Sequence, residues 1–285
     1  MLYLLGYLLA ASGGIDVDFG RFVFGYLILG LAQLSVSFSN DYFDRDADRN
    51  SMKTVFSGGS KVLIDHPELQ GFALKMALLL LTASIIGAAG FTITYSSSYW
   101  FFLLGVLGGL MGWFYTAPPL KFAYRGGGEL VTMLAIGVLM PGIGYFAAAN
   151  VLDYRFLAFV FPLSCYGLFF ILTVELPDVE SDTLALKTNI PVKWGRKRAK
   201  YLSVIATMLG AASLVAIHIS GIFEGRLDLR WIAILSVVPL FAAASAFQGR
   251  ATNKKEDTRQ LTINMSAMIL FICLVDFILM LHFFF

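Results

Sequence analysis

The sequence predicts an all-α polytopic membrane protein: nine transmembrane helices around a central cavity, in a single domain over residues 1–285. Three observations predict it. The chain is 58% hydrophobic and only 14% charged, with a mean hydropathy of +0.75, whereas soluble domains carry roughly 25% charged residues. Long apolar stretches recur along its whole length. The polar segments between them are strongly unequal in lysine and arginine. The net charge of +2 says little as a sum; its distribution says more.

Hydropathy places the spans at about 1–14, 20–39, 71–95, 99–115, 129–150, 155–174, 199–221, 229–248 and 262–285. All should be helices, because a chain exposed to lipid must satisfy its own backbone hydrogen bonds. The first is apolar from Met1 to Ala11 but short, at roughly 1.5 Å per residue, for a hydrocarbon core of about 30 Å. It has no basic lead-in, so a shortened first helix or a late start site is expected rather than a cleaved signal. The second ends in an acidic run. The third and fourth contain Gly87-Ala88-Ala89-Gly90 and Gly105-Val106-Leu107-Gly108-Gly109, small residues that let helices approach closely. The sixth ends in a second acidic run, and the seventh follows a basic cluster. The ninth carries Asp276 near its middle, for which a structural hydrogen bond is the favoured role. Cys165 and Cys273 lie in separate apolar stretches and are expected to be buried, unpaired thiols; no disulfide framework or zinc pattern exists. His66, His218 and His282 are isolated, which favours loop or interface roles.

The linkers after the even-numbered spans must share one membrane face. With their flanking turns they hold seventeen of the 21 basic residues, among them Lys53, Lys61, Lys121, Arg125, Lys187, Arg196 and Arg250. Arg21, Arg155, Arg226 and Arg230 fall on the other face. By the positive-inside rule the polar loops face the cytoplasm and the carboxyl terminus lies outside.

Both acidic runs sit on that face. Asn40-Asp41-Tyr42-Phe43-Asp44-Arg45-Asp46-Ala47-Asp48 closes the second span, and Glu175-Leu176-Pro177-Asp178-Val179-Glu180-Ser181-Asp182 closes the sixth. At 100° per residue, Asn40, Asp44 and Asp48 share one narrow helix face; Asp41 lies at its edge and Asp46 points away. Asp178 and Asp182 pair in the same way, with Glu175 nearby and Glu180 on the opposite side. A solvated acidic loop would explain one such run. Two at matching spacing on one membrane face require a counter-charge, since carboxylates beside a bilayer are costly unless paired or metal-bound.

Mg²⁺ characteristically binds through one or two carboxylates together with phosphate oxygens. Two facing acidic helices therefore point to a diphosphate ligand. Cationic partners are at hand: Lys121 and Arg125 after the turn Tyr115-Thr116-Ala117-Pro118-Pro119-Leu120, Lys61 after Ser57-Gly58-Gly59-Ser60, and Lys187 five residues past Asp182. Tyr115 and Trp113 are placed to flank a cation or to form an interfacial aromatic belt.

These motifs resemble the UbiA-type membrane prenyltransferases. The resemblance rests on Asn40-Asp41-x-x-Asp44-x-x-x-Asp48 and Asp178-x-x-x-Asp182 and covers nearly the whole chain. Tyr115–Glu129 and Asp178–Thr188 look most like the dihydroxynaphthoate (menaquinone) branch. The resemblance implies that Asn40, Asp44, Asp48, Asp178 and Asp182 hold Mg²⁺, and that Lys121, Arg125, Lys187, Lys61 and Tyr115 bind substrate. It implies a polyprenyl diphosphate donor, a lipophilic-pathway acceptor and the lipid bilayer as partners, with no nucleic acid. Asp41 and Glu175 border the metal faces and are the candidates for proton acceptor. Three features depart from the family pattern: Glu175 stands where many relatives have asparagine, Asn189-Ile190-Pro191 replaces an aliphatic run, and the first span lacks the basic-aromatic lead-in. Hydroxybenzoate, geranylgeranylglyceryl phosphate and a tetrapyrrole are alternative acceptors. A cation transporter is the rival class, but its acids belong near the bilayer midplane on broken helices. A membrane scaffold, the third class, gives no reason for acids and bases to converge.

Overall fold

The computed structural model describes residues 1–49, 59–223, 227–247 and 253–284; Lys53, Ser57, Gly58, Arg226 and Arg250 lie outside them. Every element among the described residues is helical. The principal helices are α1 (Leu2–Ser12), α2 (Phe19–Asp48), α3 (Gln70–Thr94), α4 (Tyr99–Thr116), α5 (Gly128–Ala149) and α6 (Tyr154–Glu175). Two short helices follow, α7 (Val179–Leu184) and α8 (Ile190–Trp194), and then α9 (Arg196–Ile219), α10 (Arg230–Ser245) and α11 (Lys254–Phe284). Among the described residues, seven helical segments are long and apolar enough to cross a membrane; α1 and α10 are shorter apolar helices.

Each expected span has its helix. The largest differences lie at the end of α2, whose helix continues through the acidic run, and at the start of α11; α9 and α11 both begin earlier than hydropathy places them. Their first turns are polar, Arg196-Lys197-Arg198 and Lys254-Lys255-Glu256-Asp257, so hydropathy does not register them although the backbone is helical. Asp18 and Asp153 start α2 and α6 by accepting backbone N–H bonds from the first turn, at 2.6 Å from Gly20 and 3.0 Å from Arg155. In α5 a π turn over Ala135–Leu139 precedes Pro141, where the helix must absorb a missing N–H and a bulky ring.

α2 packs most extensively on α3, α1 on the second half of α5, and α9 on α6. The α1–α5 crossing brings backbones into contact: a side chain at Gly6 would collide with the Pro141 carbonyl, and one at Gly144 with that of Tyr3. The aromatic core, with Tyr3, Phe91, Phe101, Tyr145 and Phe156, lies toward the end where Arg21 donates to the Tyr95 carbonyl and Ser97 to Asn150. Exposed side chains such as Ile93 (79%) and Phe241 (72%) mark surfaces suited to lipid. Cys165 is buried as expected, but Cys273 is exposed, because its position on α11 faces outward instead of toward the bundle. Asp276 is buried, and its Oδ1 has no hydrogen-bond partner among the described residues.

The opposite end of the bundle gathers the end of α2, the start of α3, the α4–α5 turn, α7, α8 and the starts of α9 and α11. Arg45 reaches Gln70, Tyr124 reaches Asp44, and Arg196 reaches Asp257 across these elements.

Candidate active site

α2 runs unbroken through the first acidic run, so Asn40, Asp44 and Asp48 stack along one face at four-residue intervals. Each has a neighbour that fixes it. The Thr116 hydroxyl at the end of α4 donates to Asn40 Oδ1 at 2.9 Å, and the Tyr124 hydroxyl donates to Asp44 Oδ1 at 2.8 Å. Gly59, at φ +66°, lies against Asp48, where any Cβ would collide with the carboxylate. Asp41 accepts the Ser60 hydroxyl at 2.6 Å, which ties Ser60 to α2.

The second run is built differently. Pro177 ends α6, a 3₁₀ turn spans Leu176–Asp178, and α7 then presents Asp178 and Asp182 one turn apart. The segment folds back through Leu186, at φ +58°, to Lys187. Asn189 donates to Asp182 Oδ2 at 2.7 Å, and its own Oδ1 caps α8 by accepting the Val192 N–H. Buried Glu129 accepts the Ile190 N–H, holding the same segment from α5.

The two runs meet. A cavity of about 240 Å³ is lined by Asn40, Asp41, Asp44, Asp48 and Gly59 on one side and by Val174, Asp178, Ser181, Asp182 and Lys187 on the other. Lys187 Nζ lies 3.2 Å from Asp182 Oδ1 and 3.7 Å from Asp44 Oδ2, bridging helices that are far apart in sequence. Burial works against its charge, but Asp44 and Asp182 outweigh that cost and raise its pKa above the ordinary lysine value. Burial, followed by the Asp44 charge, pushes the Tyr124 phenol well above its usual range, so its hydroxyl remains a donor.

Of the other sequence-derived candidates, Lys121 sits at φ +47° in the α4–α5 turn with Nζ 5.1 Å from the Tyr124 ring centroid. Lys61 follows Ser60 at φ +64° and leads into the one-turn helix Val62–Asp65. Arg125 is exposed, Tyr115 lies in the last turn of α4, and Glu175 is buried with Oε2 lacking a hydrogen-bond partner among the described residues. None of these five lines the cavity. Trp113 packs edge-on against Phe43. Asp46 points to solvent and Glu180 turns away to Arg196, as their helical phases require.

Sequence reasoning gave no role to Tyr124, Asn189, Glu129 or Thr116. Only Asn189 carried a local signal: asparagine two residues before a proline is a helix-start pattern.

The donor chemistry fits a hard divalent cation. Five carboxylates and one amide oxygen face a single ammonium, and every potential ligand is oxygen. Among the described residues, no three His, Cys, Asp or Glu side chains form a metal-holding group by themselves.

Comparison with known proteins gives a consistent result. The model of the UbiA prenyltransferase family matches residues 1–272. A 1,4-dihydroxy-2-naphthoate octaprenyltransferase of Bacillus subtilis (strain 168) is 26% identical over 184 residues. The match covers 65% of this chain but only 56% of that relative's length. A UbiA homolog from Archaeoglobus fulgidus, solved bound to DMAPP and Mg²⁺, has the same fold with a TM-score of 0.68 at 20% identity, covering 94% of this chain and 95% of its own. A digeranylgeranylglyceryl phosphate synthase superposes with a TM-score of 0.67 at 15% identity, covering 98% of this chain and 91% of its own.

Proposed function

The chain belongs to the UbiA prenyltransferase family, and we propose that it transfers an isoprenyl group from a polyprenyl diphosphate to an aromatic acceptor of the dihydroxynaphthoate type. One observation carries the proposal: the two acidic runs share one cavity with a lysine set between them. Asn40, Asp44, Asp48, Asp178 and Asp182 would hold Mg²⁺. Bound there, Mg²⁺ would supply positive charge to the diphosphate oxygens as the carbon–oxygen bond breaks.

Lys187, Lys121 and Arg125 bind and orient the diphosphate, with Lys61 and Tyr115 at the approach. The bond electrons leave with the diphosphate, and fixed positive charge stabilises them more in the transition state than in the ground state. The apolar bundle keeps water from capturing the allylic cation. An acceptor ring carbon forms the new bond, and its proton passes to Asp41, which lines the cavity; Glu175, buried outside that lining, is the second candidate. All nine apolar helices cross the bilayer as a single domain, with the site on the cytoplasmic face that the basic residues mark.

The naphthoate acceptor is favoured by the Bacillus relative together with the Tyr115–Glu129 segment. A prenylated glycerol phosphate acceptor is the second reading, favoured by the fold shared with the glyceryl phosphate synthase. Incubating purified protein with labelled geranylgeranyl diphosphate and both acceptor types decides between them. Asp44→Ala and Asp178→Ala should each abolish turnover and Mg²⁺-dependent donor binding in folded protein; wild-type rates in either would refute the metal assignment.

A further inference from the structure

Tyr124 joins parts of the site that are remote in sequence. Its hydroxyl donates to Asp44 Oδ1 at 2.8 Å. Its ring faces two ammonium groups, Lys121 Nζ at 5.1 Å and Lys187 Nζ at 5.2 Å from the centroid. Its backbone carbonyl accepts the Thr188 hydroxyl at 2.9 Å and the Thr188 N–H at 3.2 Å, anchoring the residue that follows Lys187. The first acidic run, the turn lysine and the lysine beyond the second acidic run therefore share one partner.

We propose that Tyr124 is a positioning residue with two separable tasks: its hydroxyl orients Asp44 toward a divalent cation, and its ring holds Lys121 and Lys187 where they meet a diphosphate. The physical basis differs for each task. A hydrogen bond to one carboxylate oxygen fixes the carboxyl plane and leaves Asp44 Oδ2 turned toward Lys187, on the cavity side. An aromatic face attracts ammonium groups without consuming their N–H donors, so the ring takes none of the donors of Lys121, nor any that Lys187 does not already give to Asp182 and Asp44. A carboxylate in the same place would neutralise them, and an aliphatic side chain would offer them no attraction. The assignment rests on the metal–diphosphate site proposed above.

The two tasks can be read apart by direct binding, without turnover. Purified full-length protein in detergent is titrated with Mn²⁺ at saturating inorganic diphosphate, and with inorganic diphosphate at saturating Mn²⁺. Tyr124→Phe keeps the ring and removes the hydroxyl. It should weaken Mn²⁺ binding about three- to tenfold while diphosphate affinity stays within about twofold of wild type. Tyr124→Leu removes both and should weaken diphosphate binding about tenfold or more as well. Should the Leu variant fail to fold, Tyr124→Met supplies a ringless side chain of similar bulk.

Two patterns overturn the assignment. In one, both variants bind like wild type and differ only in thermal midpoint, the mark of a merely structural residue. In the other, Phe impairs diphosphate binding as severely as Leu, so that the ring holds nothing. Asp178→Asn separates this assignment from the one beneath it. If it lowers Mn²⁺ binding while the Tyr124 variants match wild type, only the Tyr124 assignment falls. If Mn²⁺ binding with diphosphate ignores Asp178, the metal site falls and Tyr124's role falls with it.

Discussion

Lys187 holds the position a cation must occupy: its ammonium lies between carboxylates contributed by α2 and α7. Lys121 stands on the other approach, against the Tyr124 ring. Lys121→Ala should raise the KM for the donor about tenfold while leaving the acceptor KM nearly unchanged, as expected for loss of a charged hydrogen bond to one substrate. Steady-state kinetics with each substrate varied in turn checks it, and the opposite split would move the α4–α5 turn to the acceptor. The acids of the site were legible in the sequence because an unbroken helix converts four-residue spacing directly into one face, as at Asn40, Asp44 and Asp48. Tyr124, Asn189 and Glu129 were not, because their partners are set by how loops return to the bundle. Tyr124 meets Asp44 across 80 residues and Glu129 meets Ile190 across 61, distances over which periodicity carries no information. Glu175, placed by helical phase near the Asp178 face, is buried outside the cavity lining, beyond a proline-induced turn that a uniform helical wheel does not describe.

Helix positions depend on contacts of two kinds. Glycines set the closest crossing: α1 and α5 meet at Gly6 and Gly144 with no room for a side chain. Gly6→Leu forces the two backbones apart and should cost about 1–3 kcal/mol, read as a lower thermal midpoint in detergent; an unchanged midpoint would show that α1 is not held by this contact. Charges set the second. Asp257 on α11 is 1% exposed and binds both Lys200 and Arg196 of α9, while Arg196 also reaches Glu180 at 2.6 Å. The face of α7 opposite Asp178 and Asp182 is thereby tied to α9 and α11, which fixes the rotation of the acidic helix. The sequence showed these residues as part of a basic cluster that orients the chain. Two of them prove to be internal partners of a buried acid, which only the packing of three helices could reveal.

The molecule separates its two demands by location. One end of the bundle is closed by aromatic packing, and the other carries two acidic helix ends, their lysines and a 240 Å³ cavity. Composition and hydropathy were enough to foresee a helical membrane protein with a polar face, since burial in lipid allows few alternatives. They could not show that the ends of α2 and α6 converge, because that depends on helix tilt and pairing. The account rests on both acidic runs sharing divalent cations with a diphosphate, and anomalous diffraction tests it most directly. Crystals of the full chain grown with Mn²⁺ and an isoprenyl diphosphate should show manganese peaks within ligand distance of Asp44 or Asp48 and of Asp178 or Asp182, joined by diphosphate density. Diphosphate bound there without manganese, or manganese only at sites remote from these four residues, would contradict it.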